Sequence, residues 1–457
     1  MDAVISERHG EIAVLTLHNP PVNGFSAVLR TALSGEIETA LADDEVAAIV
    51  ITGGGRLFSG GADIREFQTP AALAEPSLRQ IIAQIESAPK PIIAAIHNAA
   101  MGGGLEIALG CHYRIAAAKT RLALPEVKLG IIPGAGGTQR LPRLIGVRPA
   151  LDMIVSGDPV ADPLDVGLVD AIIEGNLVEE AVMFARRGLE PRRTSELRDH
   201  IVEAKGHSDI FDSFRNSIAR RTRGFEAPYA CIKAVEAAVK MSFSNGLVQE
   251  RNIFEQCLSS PQSKAQRHVF FAEREVAKIA DVPADTPTKD IETAAIVGCG
   301  TMGGGIAMNF ANAGIPVTVV ETSDEALENG LEIIERNYAA TVARGRLSQD
   351  EMDRRVGLIN GSSEFEAVAD ADIVIEAVFE EMDIKKEVFA TLDKLCKGDA
   401  ILATNTSSLD IDEISSATFR PESVIGTHFF SPANVMRLME NVRGAHTSGE
   451  TIATVMK

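Results

Sequence analysis

The chain is predicted to be an α/β protein of two successive units, the second built on a doubly wound parallel sheet. Three observations lead there. Its 457 residues exceed what a single hydrophobic core usually serves. Short β-branched runs alternate with stretches that keep apolar residues at helical spacing. A polar, proline-punctuated segment, Asp281-Val282-Pro283-Ala284-Asp285-Thr286-Pro287-Thr288-Lys289-Asp290, interrupts this pattern, which restarts behind it as strand–helix–strand.

Taken in order, Ile12–His18, Ala47–Thr52 and Ile92–Ile96 read as buried strands, short, β-branched and bounded by glycine, proline or polar residues. Val28–Leu41 is a helix by the spacing of Leu29, Leu33, Ile37 and Leu41, and Leu105–Gly110 is a second. The segment from Glu190 to His207 is charged and reads as a surface connection. From Ala227 to Ile279 the pattern is helical, with Ala230, Ala234, Ala237, Ala238 and Met241 on one face. Behind the boundary, Thr293–Val297 and Val317–Glu321 read as strands, and Met302–Ala313 and Asp324–Ala343 as helices. Ile373–Glu376, Ile401–Thr404 and Val424–His428 are further short strands. The expected division is a core over 1–190, its helical completion and linker over 191–280, an extended linker over 281–291 and the doubly wound unit over 292–457.

Composition narrows the function classes. A net charge of −20 without an offsetting basic stripe argues against a nucleic-acid partner. No run of 18 apolar residues appears, so no membrane span is expected. The N-terminus, Met1-Asp2-Ala3-Val4-Ile5-Ser6-Glu7, lacks the basic head and apolar stretch of a signal peptide, and Thr454–Lys457 carries no address signal. The five cysteines are scattered, the closest pair 257 − 231 = 26 apart, so no metal site is expected and the thiols read as reduced.

Two glutamates 126 − 106 = 20 apart carry the first chemistry, in Met101-Gly102-Gly103-Gly104-Leu105-Glu106 and Leu122-Ala123-Leu124-Pro125-Glu126. Glycines without a Cβ let a carbonyl approach the backbone, and amides at a helix N-terminus can face a developing negative charge. A second amide donor is offered by Phe58-Ser59-Gly60-Gly61-Ala62-Asp63. Two amides on one oxygen form an oxyanion hole, and one such donor is worth ~10²–10³ in rate. Adding water across an activated double bond further needs an acid and a base on one face, which two carboxylates can supply.

In this order the motifs resemble the enoyl-CoA hydratase/isomerase (crotonase) superfamily over roughly residues 1–190, anchored at Phe58–Asp63, Met101–Glu106 and Leu124–Gln139. The resemblance implies a crotonase-type ββα spiral and an acyl-CoA thioester substrate. It gives Ala62 and Gly103 the role of oxyanion-hole amides and makes Glu106 and Glu126 the catalytic pair. Keeping both glutamates favours hydration of a 2-trans-enoyl-CoA, with Δ3-Δ2 isomerisation as an added or alternative activity. Lys264, Arg267 and Arg274 are candidates for the CoA phosphates, with solvated helix faces as their plainer role.

The second constellation is Gly298-Cys299-Gly300-Thr301-Met302-Gly303, placed between a predicted strand and a predicted helix. Glu321 ends the next strand 321 − 298 = 23 residues on, the offset expected for a carboxylate on an adenosine ribose. That context predicts a dinucleotide site, and Glu321 favours NAD because it would repel a 2′-phosphate. No Gly-Lys dipeptide occurs, which excludes a Walker-type phosphate loop. His428, Ser407 and Glu440 fall at strand ends of the same sheet, where ligands of such folds bind.

This set resembles the NAD-binding domain of the L-3-hydroxyacyl-CoA dehydrogenases over about residues 292–445. The resemblance implies a Rossmann fold in which Gly298, Gly300, Gly303 and Glu321 hold NAD. It also implies that His428 takes the 3-hydroxyl proton, Glu440 orients the imidazole and Ser407 bonds the reacting oxygen. The two families joined in this order resemble the multifunctional enzymes of fatty-acid β-oxidation. Those enzymes continue into helical domains, whereas this chain ends at Lys457. The expectation is therefore a truncated dehydrogenase half that binds NAD with oxidation absent or severely reduced, its uncovered face inviting self-association. A monomer is expected, in a bacterial cytoplasm or a peroxisome, with the cytoplasm favoured by the alanine-rich, tryptophan-free composition. A second reading of the dehydrogenase half is a binding module for NAD or CoA without turnover.

Overall fold

The computed structural model describes residues 2–457 except Gln68 and Ser208. They form two compact units, Met1–Glu273 and Arg274–Lys457.

In the first unit, the hairpin β1 (Val4–His9) and β2 (Ile12–Leu17) opens a sheet that continues through β3 (Ala48–Gly53), β4 (Ile92–Ile96), β6 (Tyr113–Ala117) and β8 (Ala171–Ile173). Only the β1–β2 pair is antiparallel; the other four pairings are parallel. Along β3, Ile49 and Ile51 enter one core while Ala48 and Val50 enter another on the opposite face. Burial on both faces is why this strand is continuously apolar instead of alternating. A small parallel pair, β5 (Ala99–Met101) and β7 (Arg121–Ala123), stands apart from the main sheet and immediately precedes the two glutamate segments.

Helices Ala227–Lys240, Phe243–Ser259 and Pro261–Glu275 make up the stretch read as helical completion. The segment read as a plain surface connection, 190–207, differs from expectation. It carries a 3₁₀ turn, Thr194–Glu196, and a helix, Asp199–Lys205, that buries Ile201 and Ala204. Seven residues give the apolar period too little length to stand out from the surrounding charge.

In the second unit the strand order is β11-β10-β9-β12-β13-β14-β15. These are β9 (Ala294–Val297), β10 (Val317–Val320), β11 (Ile359–Ser362), β12 (Ile373–Glu376), β13 (Ile401–Thr404), β14 (Val424–Phe429) and β15 (Met439–Arg443). All pairings are parallel except the last, β14 with β15. The order reverses between β9 and β12, which opens a crevice at their carboxyl ends, where doubly wound sheets bind ligands. Ala294 and Ile296 of β9 face one core, and Ala295 and Val297 the other.

Candidate active site

The glycine-rich segment turns sharply where β5 meets helix Gly103–Gly110. Gly102 has φ +51°, and a Cβ there would lie 2.9 Å from Glu126 Oε1. Glycine thus meets two demands at once, a left-handed backbone and room for the carboxylate. As the first residue of its helix, Gly103 carries an amide that the helix itself leaves unpaired. A Cβ on Gly103 would meet the Ala62 nitrogen at 3.2 Å, so the two expected amide donors come from adjacent backbone segments. The Ala62 loop is fixed from below. Gly61 donates its N–H to Ser59 Oγ (3.1 Å), and Ser59 Oγ donates to the Asn23 carbonyl (2.8 Å). Ala62, Gly103, Glu106 and Glu126 line one cavity of about 660 Å³, together with Phe25 and Phe254.

The two carboxylates differ in their partners. Glu106 is 3% exposed, and its Oε1 accepts the N–H groups of Ala135 (2.7 Å) and Gly137 (2.8 Å). Burial pushes its pKa up, while these amides and the charges of Arg140 and Arg79 pull it back. Glu126 is pushed well above the usual carboxylate range by burial and then by the negative charge of Glu106. Its buried Oε2 has no protein hydrogen-bond partner. Both carboxyls are thus raised, Glu126 further than Glu106, so Glu106 is the one of the pair that ionises first.

A third carboxylate lies behind them. Glu250, on helix Phe243–Ser259, is 1% exposed and accepts from the Gly136 N–H (2.7 Å), the Thr138 N–H (3.1 Å) and Thr138 Oγ1 (2.5 Å). In sequence it sits in Gln249-Glu250-Arg251, which reads as a solvated helix face. The available hint was Gly246 one turn earlier, where a Cβ would come within 2.1 Å of Gln139 Oε1. Among the proposed phosphate contacts, Arg267 is 6% exposed and donates to the Leu258 carbonyl and Ser263 Oγ, the role of a helix-stapling residue.

In the second unit the glycine fingerprint follows β9 and opens helix Thr301–Ala313. A Cβ on Gly303 would fall 1.8 Å from the Gly298 carbonyl oxygen, so only glycine permits this approach of helix to strand. In front of Gly300 a Cβ would meet nothing within 4 Å, leaving open space at the helix N-terminus. Glu321 Oε2 accepts the Cys299 N–H (2.9 Å) and Oε1 the Thr322 N–H (2.7 Å). Partial burial would raise its pKa, yet these bonds hold it lowered and the group anionic. An open cradle at a helix N-terminus with an anionic carboxylate at its side fits a dinucleotide with free ribose hydroxyls.

His428 on β14 lies opposite Glu440 on β15 in the antiparallel register, and Nδ1 stands 2.9 Å from Glu440 Oε2. Asn405, on the loop after β13, accepts the N–H of Phe429 through Oδ1 (2.9 Å), which ties that loop beside His428. Ser407 is on the same loop, but its hydroxyl is engaged elsewhere: Oγ donates to Glu380 Oε1 (3.1 Å). Glu380 Oε1 also accepts the Ser407 N–H (2.7 Å) and Thr406 Oγ1 (2.6 Å). Partial burial works against ionisation there, but these donors and the Lys385 ammonium bring Glu380 down to about 2. Asn441, next to Glu440, turns instead to Met456 Sδ (3.1 Å). Glu380 was not singled out by the sequence, because an acidic run such as Glu380-Glu381 looks like solvated surface.

Comparison with known proteins places both units. Residues 7–208 match the family model "Enoyl-CoA hydratase/isomerase", and residues 293–457 match "3-hydroxyacyl-CoA dehydrogenase, NAD binding domain". The peroxisomal bifunctional enzyme of Cavia porcellus is 41% identical over 457 residues, covering 97% of this chain and 62% of that protein. That of Danio rerio is 42% identical over 460 residues, with the same coverage of 97% and 62%. A glyoxysomal fatty acid beta-oxidation multifunctional protein of Brassica napus is 36% identical over 460 residues, covering 97% and 63%. The chain thus spans a little under two thirds of the length of these relatives. Among solved structures, carnitinyl-CoA hydratase from Mycobacterium avium is 27% identical with a TM-score of 0.45, covering 60% of this chain and 97% of that one. The dehydrogenase part of multifunctional enzyme 1 from C. elegans is 36% identical with a TM-score of 0.36, covering 41% and 45%.

Proposed function

We propose that the chain, whose two units match the enoyl-CoA hydratase/isomerase family and the NAD-binding domain of the 3-hydroxyacyl-CoA dehydrogenases, is a multifunctional enzyme of that kind and that its first unit hydrates 2-trans-enoyl-CoA to 3-hydroxyacyl-CoA. One observation carries the reading: two carboxylates of unequal, raised proton affinity line a single cavity with the Ala62 and Gly103 backbone. The thioester oxygen lies between the Ala62 and Gly103 amides, which stabilise the enolate-like charge as it develops. Ionised Glu106, held by the Ala135 and Gly137 amides, takes a proton from water as the water oxygen bonds to C3. Protonated Glu126 delivers a proton to C2.

Hydration of crotonyl-CoA, followed by the loss of enoyl-thioester absorbance, tests this reading. Activity in the parent and its collapse in Glu106→Gln and Glu126→Gln is the expected result. Lack of turnover by a folded parent would reject it.

For the second unit, an NAD-binding domain of 3-hydroxyacyl-CoA dehydrogenase type, the proposal is participation in oxidising the same product. Bound NAD would supply the hydride acceptor, held by the Gly298–Gly303 turn and Glu321. His428 would accept the 3-hydroxyl proton at Nε2, while Glu440 at Nδ1 fixes the ring and favours its charged form. Ser407 keeps its proposed place beside the reacting oxygen only if its hydroxyl turns away from Glu380.

No helix of the described residues is long and apolar enough to cross a membrane. The relatives are peroxisomal or glyoxysomal by name, so the preference for a cytoplasm drawn from composition finds no support in them. A monomer remains the proposal for solution, checked by a scattering mass near 48.7 kDa.

A further inference from the structure

Four consecutive amides around the start of helix Gly137–Ile145 are divided between two carboxylates. Ala135 and Gly137 donate to Glu106 from one side, and Gly136 and Thr138 donate to Glu250 from the other. The turn at Gly136, with φ +103°, sends successive N–H groups to opposite sides, so either carboxylate braces the segment against the other. Glu250 does not line the cavity, which excludes direct contact with substrate as its reason for being there. Its burial is expensive unless it is fully bonded, and the donor set meets that demand, with Thr138 Oγ1 itself receiving Gln139 Nε2 at 2.8 Å. Gln139 Nε2 also reaches the Ala234 carbonyl (2.9 Å), so two neighbouring helices converge on this one turn.

We propose that Glu250 is a positioning residue for the hydration: it clamps the 135–138 backbone from behind so that the Ala135 and Gly137 amides hold Glu106 where water is activated. Helix Phe243–Ser259 is then part of the active machinery and not only cover for the apolar core. The kinetic consequence rests on the hydration reading above; the geometric content stands without it. The charged groups that bear on Glu250 are Glu106 and Arg140 from the adjoining helices, Glu126 from the 3₁₀ turn Pro125–Leu129, and Arg79 from helix Leu78–Ser87. Burial, followed by the charge of Glu106, pushes Glu250 up to about 8. Above that pH a second negative charge develops behind ionised Glu106, and the two carboxylates pull on alternate amides of one segment.

The test is the Glu250→Gln variant of the full chain, by crystal structure and by steady-state hydration of crotonyl-CoA across pH. The amide replaces one acceptor by a donor that faces an N–H, so one grip on the segment is lost. The expected structure has Glu106 without at least one of its two bonds from Ala135 and Gly137. The expected kinetics are a fall in kcat of roughly 10²-fold with KM within about twofold, as for a base displaced by about 1 Å. The parent profile of kcat should carry an inflection near pH 8 that the variant lacks. Retention of both Glu106 bonds, or an unchanged kcat in a folded variant of an active parent, overturns the proposal. An inactive parent defeats the hydration reading instead, and the structure alone then decides the role of Glu250. Should Glu250→Gln fail to fold, Thr138→Val removes the hydroxyl that donates to Glu250 and accepts from Gln139; kcat should fall about threefold with the same KM, and an unchanged value overturns the proposal.

Discussion

The two units treat the same side chain in opposite ways. In the first, Glu106 and Glu250 are nearly sealed from water and Glu126 is half-buried, and burial pushes each toward the protonated form. In the second, Glu321 and Glu380 stay in reach of solvent and are pulled toward the anion by backbone amides, hydroxyls and Lys385. The difference follows from the tasks proposed for them. Moving protons to and from carbon and water needs carboxyls whose affinities lie near neutrality. Holding ribose hydroxyls and ordering loops needs anions that never give up their charge.

The contrast breaks most readily at the buried pair. Glu106→Gln and Glu126→Gln should each lower kcat for enoyl-CoA hydration by about 10³-fold, measured by stopped absorbance assays on folded protein. Survival of either variant near parental rate would mean that a single carboxylate suffices, as an isomerase would require.

The second unit is tested by binding. Gly303→Val places atoms where the Gly298 carbonyl already stands and should weaken NAD affinity at least about 100-fold by calorimetry, while hydration by the first unit is unchanged. Equal affinity would show that the fingerprint is a structural turn only.

Gly102→Ala sharpens the first site without removing any functional group. The added methyl crowds Glu126 Oε1 in a left-handed backbone, and kcat should fall about tenfold with a Tm lowered by a few degrees.

The smallest effect concerns pH. Hydration should lose its acid limb as Glu106 takes up a proton, at a pH above the ordinary 4.5 because burial raises it. In the second unit the sign reverses. Glu380 is depressed from 4.5 to about 2, so its stabilisation of the Thr406–Ser407 loop is complete above pH 4.5 and fades as pH falls toward 2. Amide exchange at Ser407, corrected for its intrinsic rate, should be protected severalfold less at pH 3 than at pH 6. Equal protection would remove Glu380 as the loop's anchor.

What the sequence made readable follows the same division. Strand and helix periods located β4, β12, β13 and helix Asp324–Ala343 to the residue, since two-sided burial writes uninterrupted apolar runs and a long helix repeats its stripe. The glutamate pair and the fingerprint were visible because glycine marks the places where backbone must come close. Glu250 and Glu380 were not, because a carboxylate gains its meaning from donors distant in the chain, 250 − 136 = 114 residues away for the first and 407 − 380 = 27 for the second. Helix Asp199–Lys205 was missed for the simpler reason that two buried positions make no period.

The pairing of His428 with Glu440 depends on the alignment of two strands and on nothing else. Side chains alternate along β15, so a displacement by one residue would turn Glu440 to the far side of the sheet and bring Met439 or Asn441 across from the histidine. No side chain would have changed, yet the contact between His428 and Glu440 would be gone. The role proposed for His428 therefore rests on the register in which β15 pairs with β14. An insertion or deletion in the 430–438 connection can therefore separate the histidine from Glu440 from a distance, by altering how many residues the chain uses to turn back.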